Sequence, residues 1–245
     1  MRRAYWALTK LAADQYLVRP ACTRQTRVFS ADASGAPVPS GPMVYGICYC
    51  PLDRADDLKA LGFADSKTLN EEARERLLEV IRTNADYIGW SVRVLSPQDI
   101  SQSMLRRNKY NLNSMAHDTT IRLLREAIAS GVNVTEIYVD TVGPPESYQA
   151  KLARLFPQAR VTVTKKADSL FPVVSAASIC AKVTRDAIIK QWMFAEPGAE
   201  AFADPNTVAW LNANVDPVFG FPGIVRFSWA TTERLLEKSA IGVEW

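Results

Sequence analysis

The chain has 245 residues, a net charge of +3, 48% hydrophobic residues and 22% charged residues. Those values suit one folded α/β domain with a sizeable core and exclude a mostly disordered chain. The charge is uneven: residues 1–40 hold six basic and two acidic residues, against 23 and 24 in the remainder, so any nucleic-acid surface on the body must be a local patch.

No apolar run approaches the roughly 18 residues that would suggest a membrane span, so no membrane partner is expected. Residues 1–30 lack the continuous apolar stretch of a secretory signal. Their arginine-rich, acid-poor composition is compatible with a mitochondrial transit peptide. The four cysteines, Cys22, Cys48, Cys50 and Cys180, suggest neither a disulfide framework nor a zinc site, because His117 is the one histidine and there is no second close cysteine pair. They read as small buried hydrophobes.

In chain order, residues 1–40 read poorly as structure, with a short strand possible at Arg27–Ala31 and loop chemistry from Ala31 to Ser40. Met43–Cys50 is a β-rich apolar run between Gly41-Pro42 and Pro51 and predicts a strand. Asn70 is placed to cap a helix whose apolar face is Ala73, Leu77, Leu78 and Ile81. A strand is expected at Tyr87–Leu95, then a helix entered through Ser96-Pro97, with proline at its first position. Leu112, Met115, Ala116, Thr119, Leu123 and Ala127 mark a long helix ending near Gly131. Val134, Ile137 and Val139 predict a strand ending at Asp140. A helix over Glu146–Phe156, a short strand around Val161 and Val163, a long helix over Phe171–Phe194 and a last helix at Thr231–Ser239 follow. Alternating helices and strands argue for an α/β fold with a mixed central sheet flanked by helices.

Five stretches carry candidate chemistry. Val139-Asp140-Thr141-Val142-Gly143 puts a carboxylate at the C-terminal end of a strand, where open α/β sheets bind ligands; a solvated or capping aspartate is the plain alternative. Lys165-Lys166-Ala167-Asp168 sets two lysines beside a carboxylate at a strand–helix junction, and Asp168 can equally be a helix cap. In Ser175–Asp186, Ser178, Lys182 and Arg185 share a helix face that can grip phosphates, while the small residues suit tight packing on the sheet. Ala64-Asp65-Ser66-Lys67-Thr68-Leu69 combines hydroxyls, a lysine and helix-start amides, as a phosphate cradle does, although ordinary helix-start chemistry looks the same. Lys109-Tyr110-Asn111-Leu112-Asn113-Ser114 places amides where they read sugar or base edges or cap the helix.

Taken together and in this order, these stretches resemble the ribonuclease HII family, and within it the catalytic subunits of eukaryotic type 2 ribonuclease H. The resemblance also rests on Gly41–Tyr45, Gly131–Val134, Pro172–Val183 and Pro217–Pro222 and covers about residues 41–245. It implies a ribonuclease H-like catalytic domain over 41–195 and a C-terminal helical extension over 196–245 where partner subunits dock, with 1–40 left as an atypical, poorly ordered segment. It also implies four carboxylates holding two Mg²⁺ ions, with Mn²⁺ as a substitute, one to activate the attacking water and one to stabilise the leaving 3′ oxygen. By position, Asp32, Asp140 and Asp168 match family carboxylates, and Lys67, Thr68, Asn111, Asn113, Ser178, Lys182 and Arg185 match residues that hold nucleic acid. The expected substrates are RNA/DNA hybrids and duplex DNA containing single ribonucleotides. The expected assembly is a heterotrimer with two non-catalytic subunits, and the expected location is the nucleus, or mitochondria if residues 1–30 act as a leader.

Two departures stand out. The family pattern Asp-Glu-Ala-Gly-Arg-Gly is met here by Asp32-Ala33-Ser34-Gly35-Ala36-Pro37, so the glutamate that shares a metal and the arginine of the ribonucleotide-contacting turn are missing. The family's Tyr-Pro-Asn-Asp-Pro, whose tyrosine senses the 2′-OH, is met by Ala201-Phe202-Ala203-Asp204-Pro205. An active hybrid endonuclease and a catalytically impaired scaffold of the same complex are therefore both expected readings.

Overall fold

The computed structural model describes residues 26–32, 40–63, 69–108, 110–141, 144–190 and 207–242, with 26–32 and 207 described by backbone alone. The described strands form one five-stranded mixed sheet: β1 (Thr26–Asp32), β2 (Met43–Pro51), β3 (Gly89–Leu95), β4 (Val134–Asp140) and β5 (Arg160–Thr164), in the order β3-β2-β1-β4-β5. β2 pairs antiparallel with both β1 and β3, whereas β4 runs parallel to β1 and to β5. The middle strand thus comes from the N-terminal segment that composition set apart, so Thr26–Asp32 of that segment is part of the sheet. The strand expected from Tyr87 starts instead at Gly89, because Tyr87 belongs to the turn that closes the preceding helix.

The described helices are α1 (Ala55–Ala60), α2 (Glu71–Thr83), α3 (Pro97–Leu105), α4 (Leu112–Ala129), α5 (Pro145–Leu155), α6 (Ala167–Leu170), α7 (Pro172–Lys190), α8 (Thr207–Ala213) and α9 (Ala230–Ser239). Local chemistry starts several of them. Asn70 accepts from the Ala73 amide at 2.8 Å, Ser96 from that of Asp99 at 3.0 Å, and Asn111 from that of Ser114 at 2.8 Å. Each cap satisfies an amide that the first helical turn leaves without a partner.

Alternation along β2 builds two cores. Val44, Cys48 and Cys50 face a layer made by α1, α2 and α7, while Met43, Tyr45, Ile47 and Tyr49 face α3, α4 and α5. All of β2 is buried, as a strand covered on both faces should be. α7 lies close on the sheet because its inner face is small, with Ser175, Ala176, Ala177, Ser178, Cys180 and Ala181 all buried. The approach leaves no room for a side chain on Gly46, where a Cβ would come within 2.7 Å of the Ala177 carbonyl. Cys48, Cys50 and Cys180 are buried and form no disulfide among the described residues, and burial pushes the Cys48 and Cys180 thiols up, as expected of packing cysteines. Cys22 lies outside the described residues.

A third cluster, Trp210, Leu211, Phe221, Ile224 and Val225, belongs to the C-terminal segment. Arg226 fastens it to the body. This side chain is 2% exposed, yet its Nε donates to the Gly41 carbonyl at 2.9 Å and a terminal nitrogen donates to that of Pro42 at 3.2 Å. The guanidinium also sits 4.7 Å from the Trp229 ring centroid. The Gly41 amide donates in turn to the Ile224 carbonyl at 2.8 Å. Gly41 has φ +76°, which a side chain would disfavour. Among the described residues no helix is long and apolar enough to cross a membrane.

Candidate active site

The three aspartates singled out in the sequence occupy neighbouring positions on one sheet rim. β1 and β4 run parallel with Ser30 opposite Val139, so their C-terminal residues, Asp32 and Asp140, end at the same edge. Asp140 is also the register partner of Thr164, the last residue of β5. The chain then turns through Lys166, which has φ +57°, into the single helical turn α6. That left-handed residue is a costly conformation for a lysine and swings the chain back toward β4. The Ala167 amide consequently donates to Asp140 Oδ1 at 3.1 Å. Asp168, the next residue, is 5% exposed. Tyr138 on β4 packs on Phe171 at 4.5 Å between ring centroids, fixing β4 against the α6–α7 junction. Asp140 and Asp168 therefore stand on adjoining backbone held by a direct contact.

The donors present are hard carboxylate oxygens, the chemistry that Mg²⁺ and Mn²⁺ select. Among the described residues no group of three or more His, Cys, Asp or Glu side chains converges on one point. In donor type these carboxylates suit an oxygen-liganded divalent ion; Asp140 and Asp168 are the described carboxylates here, and Asp32 lies at the same rim by backbone register.

The residues expected to hold nucleic acid divide. Asn111 caps α4 and, like Asn113, is exposed. The Tyr110 hydroxyl beside them donates to Asp118, which is paired with Lys151 on α5 at 3.2 Å, so the start of α4 is tied to the helix that follows Asp140. On α7, Lys182 and Arg185 are half-buried, but Ser178 is 3% exposed and belongs to the helix–sheet contact. The expected shared face therefore narrows to Lys182 and Arg185. Lys67, Thr68, Ala33, Ala36 and Phe202 lie outside the described residues. His117 is a helix residue, stacked on Tyr148 at 3.6 Å between ring centroids.

Two features escaped the sequence patterns. Lys166 as a left-handed pivot carried no signal, since lysine rarely adopts that conformation. Arg226 carried none either, because its partners lie about 185 positions away.

Comparison with known proteins decides the family. The ribonuclease HII family profile matches residues 32–232, beginning at Asp32. This chain belongs to the ribonuclease HII family. It is 54% identical over 232 residues to a ribonuclease H2 subunit of Mus musculus, covering 91% of this chain and 77% of that protein. The corresponding protein of Bos taurus is 52% identical over 236 residues, covering 93% and 79%. The crystal structure of the Pyrococcus horikoshii ribonuclease H2 superposes with a TM-score of 0.71 at 26% identity, covering 87% of this chain and 98% of that one. The fold is therefore that of the ribonucleases H, and the aspartate rim lies in the part of the chain that the family profile covers.

Proposed function

We propose that this chain is a catalytic-type subunit of a type 2 ribonuclease H, binding RNA/DNA hybrids and duplex DNA with embedded ribonucleotides. The observation that carries this is the joined placement of Asp140 and Asp168, through the Ala167 amide, at the sheet rim. Divalent ions bound there would supply activation of a water and charge stabilisation at the leaving 3′ oxygen. Asp32, Asp140 and Asp168 would hold them. Asn111 and Asn113, exposed at the start of α4, would contact the duplex, with Lys182 and Arg185 on α7 and Lys67 and Thr68 before α2. The relatives' names, as subunits, support an assembly with partner proteins, for which the C-terminal segment is the proposed docking region.

A specific observation favours a second reading, in which the chain binds and assembles but cuts poorly. Ala33 stands where the family pattern has a metal-sharing glutamate, and Phe202 where it has a hydroxyl that senses ribose. Losing one preorganised contact to a transition state commonly costs about 10²–10³ in rate. The test is single-turnover cleavage of a duplex carrying one ribonucleotide, with Mg²⁺ and both partner subunits, comparing the natural sequence with Ala33→Glu. The expected outcome is a gain of about 10²-fold in Ala33→Glu. Equal and rapid cutting by both would show that another ligand serves the metal. A failure of both to bind hybrid would remove the proposed substrate.

A further inference from the structure

No acidic residue stands between Asp99 and Asp118, and Arg106 and Arg107 lie within that interval. Both are exposed in the turn from α3 to α4. Arg106 is nonetheless held in place. Its Nε donates to the Asn108 carbonyl at 2.8 Å, and its guanidinium lies 5.2 Å from the centroid of the Tyr110 ring. A cation over an aromatic face is attracted at that range. The ring is itself fixed: the Tyr110 amide donates to the Ser103 carbonyl at 3.0 Å, and the Tyr110 hydroxyl donates to Asp118. Asp118 is taken up by that hydroxyl and by Lys151 at 3.2 Å, and Arg106 forms no ion pair among the described residues.

We infer that Arg106 grips a backbone phosphate of the bound nucleic acid, beside Asn111 and Asn113. An arginine without a carboxylate partner keeps its terminal N–H groups for an anion. A guanidinium already oriented by a ring and a carbonyl loses little freedom on binding one. Asn111 spends its side-chain oxygen on the Ser114 amide at 2.8 Å, so the group it has left to offer is its NH₂, also a donor. Tyr110 connects the two, since it lies against the Arg106 guanidinium and directly precedes Asn111 in the chain. Donors on both sides of one ring suit the acceptor-rich sugar–phosphate backbone. The inference rests on the proposed hybrid-binding function and adds to it a contact outside the Lys109–Ser114 stretch.

The test measures binding of a fluorescently labelled RNA/DNA hybrid by the full chain, by anisotropy in EDTA so that no cleavage intervenes, over about 50–200 mM salt. Each phosphate contact releases counterions, so removing one flattens the dependence of log Kd on log salt by about one. Arg106→Ala is expected to show that flattening and to raise Kd about fivefold at ~100 mM salt, with a smaller loss as salt rises. Arg106→Lys keeps the charge without the planar stack, so it should keep the natural slope and weaken binding by about twofold. Arg125→Ala, which removes an exposed charge near the far end of α4, should leave the slope unchanged. A slope unaltered in Arg106→Ala would make the residue structural, and equal flattening in Arg125→Ala would make the effect one of net charge; either result overturns the inference while hybrid binding stands. Absence of hybrid binding by the natural sequence at every salt concentration would instead defeat the proposed function, and this inference with it.

Discussion

The two halves of the aspartate rim differ in what they have kept. On the β4 side, the scaffold and the carboxylates of the family pattern are both present: strand, left-handed pivot and helical turn bring Asp140 and Asp168 onto adjoining backbone. On the β1 side, the scaffold is present without the full chemistry. β1 is the middle strand, paired along its length with β2, and the chain beyond the first motif is fastened at Gly41 and Pro42 by the buried Arg226. Yet Ala33 and Ala36 stand where the family pattern has glutamate and arginine. The frame here thus stands without every side chain of the family pattern. Strand register depends on many backbone hydrogen bonds and survives side-chain changes that a metal ligand set does not.

The largest effect should come from the intact half. In the Ala33→Glu background, Asp140→Asn is expected to lower single-turnover cleavage by about 10³-fold while hybrid binding in EDTA persists. It removes a charge from the metal side and keeps a group of the same shape, which can still accept from the Ala167 amide. If cleavage survives, the two halves do not act on one centre, and the contrast between them loses its meaning.

The next effect concerns the frame. Arg226→Gln would remove a buried cation that makes two hydrogen bonds to carbonyls and stacks over Trp229. Hydrogen bonds involving a charged group are worth about 1.5–3 kcal/mol each, and the smaller amide recovers part of this, so a loss of about 3 kcal/mol is expected. For a chain of this size that corresponds to a fall of about 6–12 °C in melting temperature. An unchanged melting temperature would mean that the C-terminal segment does not hold the β1 side in place.

These expectations show where the sequence was readable. Asn70, Ser96 and Asn111 each bond an amide three residues on, so their roles are legible in a short window. The small face of α7 is likewise written locally in Ser175–Ala181. β1 was harder to place. It stands in a stretch of loop-like and unfamiliar sequence, and its importance comes from partners in β2 and in β4, about 110 positions away. Ser178 illustrates the converse. Helical spacing puts it four residues from Lys182, but periodicity does not say how deep along that helix face the sheet lies. Long-range packing, which no local pattern encodes, settled that depth, as it settled the burial of Arg226.

The smallest effect probes the contact between α4 and α5, away from both halves of the rim. Desolvation, with the nearby Lys151 charge adding to it, lowers the His117 pKa from its ordinary 6.5, and Asp118 opposes the shift only in part. The unfolded chain therefore binds this proton at a higher pH than the folded chain does, and between the two values stability rises with pH. The contribution is complete above about pH 6.5 and is lost as pH falls through the folded value. His117→Phe keeps an aromatic ring to stack on Tyr148 but cannot titrate. Melting curves of the two proteins from pH 8 to pH 5 should run parallel above about pH 6.5, and below it the natural protein should lose stability relative to the variant. Parallel curves throughout would mean that the imidazole is solvated in the folded chain, and that its stacking on Tyr148 at 3.6 Å does not exclude the proton.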